Sequence, residues 1–159
     1  MLRDIYIPDL LRCENHTLTH SFKEFFEDLA TLGPIEGEVT LHHGGSFLEV
    51  IVKAKAIMTL VCDRTLVQFN HKLVVDTKDI VALANPIELP KEQELGLEEL
   101  TESYPPNGTF PLKFWIYEQL CLAIPFPAIA PDAPPWQSEA PKEQVDHRWD
   151  GLKGLILSD

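Results

Sequence analysis

Apolar and polar positions change period twice along this chain. Residues 5–7, Ile-Tyr-Ile, alternate as an edge strand does, and Pro8 closes the run because it has no amide to extend a ladder. In THSFKEFFEDLATLGP, residues 19–34, Phe22, Phe25, Phe26 and Leu29 fall at i, i+3, i+4 and i+7. That spacing predicts an amphipathic helix, with Ser21 and Glu24 in the form of a capping box and Gly33-Pro34 as its stop. From Glu36 the period becomes two. Val39 and Leu41 alternate with Glu38, Thr40 and His42, and His43-Gly44-Gly45-Ser46 supplies the glycines of a hairpin turn. In the long strand that follows, Leu48, Val50, Val52, Ala54, Ala56, Met58, Leu60 and Cys62 share one parity. Glu49, Lys53, Lys55 and Thr59 take the other, so Cys62 belongs to the inward face.

A turn near Asp63-Arg64 leads into a third strand, where Val67, Phe69, Leu73 and Val75 alternate with Gln68, Asn70, Lys72 and Asp76. The length of the middle strand predicts a bend or bulge at residues 55–57, where apolar residues begin to occupy both faces. Residues 85–108 are acidic, proline-bearing and without a sustained period; they read as a loop with a helical turn at residues 97–100. FPLKFWIYEQLCLAIP, residues 110–125, predicts a second helix that starts at Pro111 and ends at Pro125. Its polar positions are so few that it must be buried on more than one side or lie at an interface. After it comes a Pro- and Ala-rich extended tail, then a short amphipathic stretch with Trp149, Leu152, Leu155 and Ile156. The expectation is one α+β domain over residues 1–126. It is a curved antiparallel meander, open or closed toward a barrel, with two packing helices and an acidic loop at 85–108. A flexible Pro-rich tail occupies residues 127–159.

Composition narrows the function. The formal charge is -12, from 25 acidic residues against 13 Lys and Arg, and it repels phosphate at long range unless the charges are segregated. Cys13, Cys62 and Cys121 are too widely spaced for a disulfide framework or a zinc ribbon, which suits a reducing, cytoplasmic setting. The start of the sequence lacks a secretory pattern, and no apolar run is long enough to span a bilayer.

The stretch LVCDRTLVQFNHK, residues 60–72, looks like half of a metal knuckle, but Thr65 stands where a second cysteine would complete it. His42 and His43 point to opposite faces of a strand, and HHGGS precedes a strand rather than a helix, so neither a metal site nor a phosphate loop is expected. Cys62 at the end of an apolar strand reads as an inert core thiol, leaving no catalytic residue, cofactor or small-molecule substrate to name. Glu118, on an otherwise apolar helix, either lies exposed on the remaining polar strip beside Lys113 and Gln119 or, if buried, calls for a partner, for which Arg64 at the hairpin turn is the candidate. Lys53, Lys55 and Lys72, with Arg64, are the cations able to contact RNA from the sheet.

VCDRTLVQFNHKL and IYEQLCLAIPFPAIAP together resemble the YceD, or large ribosomal RNA subunit accumulation protein, family, whose members carry a Cys-x-Arg-Cys turn and a glutamate-bearing helix. HRWDGLKGL is similar to that family's short C-terminal segment, and YIP with LEV and IMTLVC looks like its cyanobacterial and plastid branch. The resemblance implies a non-enzymatic role in 23S ribosomal RNA accumulation or processing and in large-subunit assembly. Cys62, Arg64 and Glu118 are the motif positions it carries over. A basic ribosomal protein or pre-50S particle is the implied partner, direct RNA binding through the sheet is the alternative, and a nuclease or other enzyme is third. Thr65, and the absence of a cysteine cluster after the helix, separate this chain from the pattern of relatives for which zinc would be plausible.

Overall fold

The computed structural model describes residues 1–85, 102–136 and 147–152. Strand β1 (Ile5–Tyr6) runs into a one-turn helix α1 (Ile7–Leu10), with Pro8 in its first turn. Next come β2 (Thr17–Glu24), β3 (Ile35–His43), β4 (Phe47–Val61) and β5 (Gln68–Leu83), followed by β6 (Ser103–Tyr104), β7 (Thr109–Phe110) and α2 (Leu112–Ala123). His147–Leu152 forms a 3₁₀ turn. The order β2-β3-β4-β5-β6 makes one five-stranded sheet, and β1 pairs separately with β7. The sheet has two edges, β2 and β6, and is not closed into a barrel. Its last pair, β5 with β6, is parallel, so the meander is antiparallel only from β2 to β5.

The first predicted helix is a correction. Residues 17–24 are a strand, because Thr17, Leu18, Thr19, His20, Ser21, Phe22 and Lys23 also alternate, and β3 offers a full-length partner from Thr17↔His42 to Glu24↔Ile35. Phe22, Phe26 and Leu29 are all buried, as a helical stripe would require, but the last two enter the core from the turns after β2; Phe25 is 60% exposed. Opposite Phe22 lies Gly37, where a Cβ would come 2.6 Å from the Lys53 carbonyl oxygen and 2.8 Å from both the Phe22 ring and Ala54 Cβ. The absence of a side chain there lets the phenyl ring lie against the sheet.

The expected bulge is also absent. Pairing between β4 and β5 holds one register from Phe47↔Ala82 to Val61↔Gln68. What changes near residue 57 is the neighbour: β3 pairs with β4 only as far as Glu36↔Lys55, and beyond it the Leu32 amide donates to the Ile57 carbonyl (2.8 Å). Farther along the same edge the Asp63 amide donates to the Ala128 carbonyl (2.8 Å). Alternate residues of a strand direct their main-chain groups to the same side, so Thr59 and Val61 present theirs between these two bonds with no strand beside them among the described residues.

The even-numbered side chains of β4 from Leu48 to Met58 are buried, with Leu73, Val75 and Val81 beside them on β5. Helix α2 packs against β5 through Leu112, Trp115, Ile116 and Leu120, each contributing about 1.5–3 kcal/mol by leaving water. The Trp115 indole N–H donates to Asp79 Oδ2 at 3.3 Å, so the ring is both packed and satisfied. Ile124 is extended, as a residue before proline must be, and Pro125 ends the helix. The predicted turn at residues 97–100 lies outside the described residues, as does much of the tail. No helix among the described residues is long and apolar enough to cross a membrane.

Candidate functional site

Strand parity puts Lys53, Lys55 and Lys72 together on the outer face of the sheet, opposite the side covered by α2. Register decides what they meet there. Lys55 lies across from Glu36, their charged atoms 3.7 Å apart, and the same carboxylate takes Lys23 from β2. Lys23, with Lys55 in support, holds the Glu36 carboxyl below its ordinary value. Lys78 pairs with Glu49, while Lys53 sits between Glu38 on β3 and Asp76 on β5. Lys72 is opposite Ile57, with no carboxylate in register. Ile57, Val74 and Ile80 are each more than half exposed on this face. Where β3 leaves β4, Leu32, Ile57, Lys55, Lys72, Glu36 and Asn70 enclose a concavity of about 570 Å³.

The motif cysteine lies on the inner side. Cys62 is fully buried and its Sγ accepts the Ala130 amide at 3.4 Å. That bond, with hydrogen bonds from the Thr65 side chain and backbone, brings the thiol down from its ordinary 9.0 to about 7 against the opposing effect of burial. Thr65, standing where a second cysteine would complete a knuckle, thus supports the sulfur by hydrogen bonding. Leu66 closes the turn at φ 58°, with its amide bonded to the Cys62 carbonyl at 2.8 Å. The Asp63 amide bonds the Ala128 carbonyl and Asp63 Oδ2 accepts the Ala128 amide at 2.7 Å, while Arg64 Nη1 donates to the Pro134 carbonyl at 3.0 Å. Residues 128–134, which the sequence places at the start of a flexible tail, are thereby clasped to the turn.

Glu118 is exposed on α2 and makes no ion pair with Arg64, whose guanidinium goes to main chain instead. Its charge contributes to the field at Tyr104, whose hydroxyl burial and Glu102 push up to about 12. His71 shares the inner face with Cys62 but lies opposite Met58, about 13 Å along the strand at about 3.3 Å per residue, too far to serve as its base. His43 is buried and its Nδ1 accepts the Gly45 amide; His42, on the other face, bonds Thr17. Among the described residues no three His, Cys, Asp or Glu side chains gather to hold a metal ion.

Sequence reasoning missed a second concavity, where Asp4, Glu27 and Asp28 meet Phe114 and Tyr117. Its signal was the Phe25-Phe26-Glu27-Asp28 run, hidden by the helical reading. No curated protein and no solved structure matches the chain. A family model described as large ribosomal RNA subunit accumulation protein YceD matches residues 50–156, from near the start of β4 through the clasped turn and α2 to beyond the 3₁₀ turn. That match covers more than half of the sequence, and the chain belongs to the YceD family.

Proposed function

We propose that this chain is a non-catalytic factor in the accumulation of large-subunit ribosomal RNA, and that it acts by holding a basic protein of the assembling subunit. In this reading it works in the cytoplasm or an equivalent compartment and belongs with the cyanobacterial and plastid-like members of its family. The observation that carries the choice of partner is the charge pattern of the outer sheet face. Lys23, Lys55 and Lys78 are ion-paired with carboxylates, and Lys53 has Glu38 and Asp76 on either side. A face of that kind offers phosphates no continuous positive stripe, and the exposed side chains Ile57, Val74 and Ile80 offer no ring on which a base could stack. A chain of charge -12 attracts a cationic protein at long range and repels nucleic acid.

The test is recovery of the tagged chain from lysate with and without nuclease, together with sedimentation against large-subunit precursors. Large-subunit proteins retained after nuclease treatment are the expected result. Loss of all of them on nuclease treatment, when they are recovered together with RNA before it, would overturn the protein-partner reading in favour of direct RNA contact through Lys53 and Lys72.

A further inference from the structure

Where β2 ends, the chain passes beside the first turns of α2, and the two enclose a cleft of about 350 Å³, at the small end for a ligand site. One wall is aromatic: the Phe114 and Tyr117 rings are 6.5 Å apart with a 35° tilt, and Phe114 is 58% exposed. The rim is acidic. Asp4, Glu27 and Asp28 are exposed, and none of the three has an ion-pair partner among the described residues. The cation present, Lys113, is already engaged, with Nζ 3.8 Å from Glu24 Oε2 and 5.7 Å from the centre of the Phe26 ring. Three carboxylates are thus left to act on whatever enters, over ring faces that carry negative electrostatic potential of their own.

We propose that this cleft seats an arginine side chain from an extended segment of a basic protein partner, with the guanidinium lying over Phe114 and Tyr117 and within reach of Asp4, Glu27 and Asp28. A planar guanidinium suits both halves of the site, since it stacks on rings and donates to several carboxylates at once. The rim repels phosphate, and it repels a second copy of a chain that carries -12. The inference rests on the protein-partner reading above and gives that reading a location.

The probe is a fluorescein-labelled peptide of alternating Gly and Arg, followed by anisotropy against the full chain, with a Gly-Glu peptide as the reverse-charge control. Phe114→Ala, which leaves the charge unchanged, should weaken Gly-Arg binding about fivefold. Glu27→Gln with Asp28→Asn should weaken it about tenfold. The charge-matched pair Glu14→Gln with Asp132→Asn, exposed positions outside the cleft, should weaken it less than about twofold. Equal losses in the two charge pairs, or full affinity in Phe114→Ala, would overturn the cleft and assign the binding to diffuse attraction. Phe114→Leu keeps the apolar bulk, removes the ring and should weaken binding as Phe114→Ala does, so a folding defect in the alanine variant does not decide the matter. Recovery of the tagged chain from nuclease-treated lysate separates this inference from the function. If wild type and Phe114→Ala both retain large-subunit proteins after nuclease, the cleft is wrong and the function stands. If wild type retains none but binds the peptide through Phe114, the function falls and the cleft stands.

Discussion

Replacing Asp63 by alanine tests whether the clasp is a local unit that guards Cys62. The substitution deletes one bond, the Ala128 amide to Asp63 Oδ2 at 2.7 Å, and leaves the Asp63 amide free to keep its own bond to the Ala128 carbonyl. A hydrogen bond to a charged acceptor is worth about 1.5–3 kcal/mol net, but this one is exposed and water replaces it, so about 1 kcal/mol is expected. That energy makes opening of residues 128–134 about fivefold more frequent. Opening withdraws the Ala130 amide from a thiol that is otherwise fully buried. In a background carrying Cys13→Ser and Cys121→Ser, labelling of Cys62 by an aromatic disulfide reagent should therefore speed up about fivefold in Asp63→Ala. Asp63→Asn, which keeps a carbonyl oxygen in place, should give a smaller increase. The wild-type rate should also stay nearly flat in urea well below the unfolding midpoint, because local opening exposes little surface. An unchanged rate in Asp63→Ala, or a rate climbing with urea from the first addition, would refute the clasp as a separate unit.

Three further outcomes are expected. Gly37→Ala should destabilise the fold by about 1–3 kcal/mol in urea unfolding, and Phe22→Leu should recover only part of the loss, because the Lys53 carbonyl oxygen 2.6 Å from the new Cβ is main chain and cannot step aside. The Cys62 thiol loses its proton at about 7 in the fold but near 9.0 in the unfolded chain, so the stability it adds is lost as pH falls through 7 and fully present above 9.0. The urea midpoint of wild type should rise relative to that of Cys62→Ala across this window, and parallel profiles would contradict the cause assigned to the shift. In hydrogen exchange the amides of Thr59 and Val61 should exchange much faster than those of Met58 and Leu60, which lie in the ladder with β5; comparable protection at all four would mean that the β4 edge is covered.

Most of the sheet was legible because its signal is local and has period two. The alternation from Leu48 to Cys62 survives in the structure position by position, and Val39, Leu41, Leu73 and Val75 fill the core as their parity requires. Helix α2 was equally plain, since Pro111, Pro125 and the apolar residues between them all point to the same element. The segment after Thr17 failed for a physical reason. Phe22, Phe26 and Leu29 are core residues under either reading, and a helical stripe and a strand followed by a turn bury the same three side chains. What decides between them is a non-local partner, β3, together with a glycine at position 37 that admits the Phe22 ring. The two-residue strands β6 and β7 are made by context alone, with no periodic signal of their own.

The candidate site divides along the same line. That Lys53, Lys55 and Lys72 point outward follows from parity, but their value as an RNA surface depends on register, which sets Glu36 against Lys55 and encloses Lys53 between Glu38 and Asp76. A one-residue slip would undo both pairings and turn the lysines inward, so no reading of single strands could have ranked the two partners. Arg64 reverses the lesson. Sequence logic offered the guanidinium to Glu118 only for the case of a buried carboxylate, beside the reading of an exposed one; α2 keeps Glu118 on its solvent side, and the need for a counter-charge does not arise. The guanidinium instead meets a main-chain carbonyl 70 residues along the chain, a partner that carries no signal in residue type. A motif arginine can therefore be structural without any acid to mark it, and its job here is to tie the segment after the helix to the turn that precedes β5.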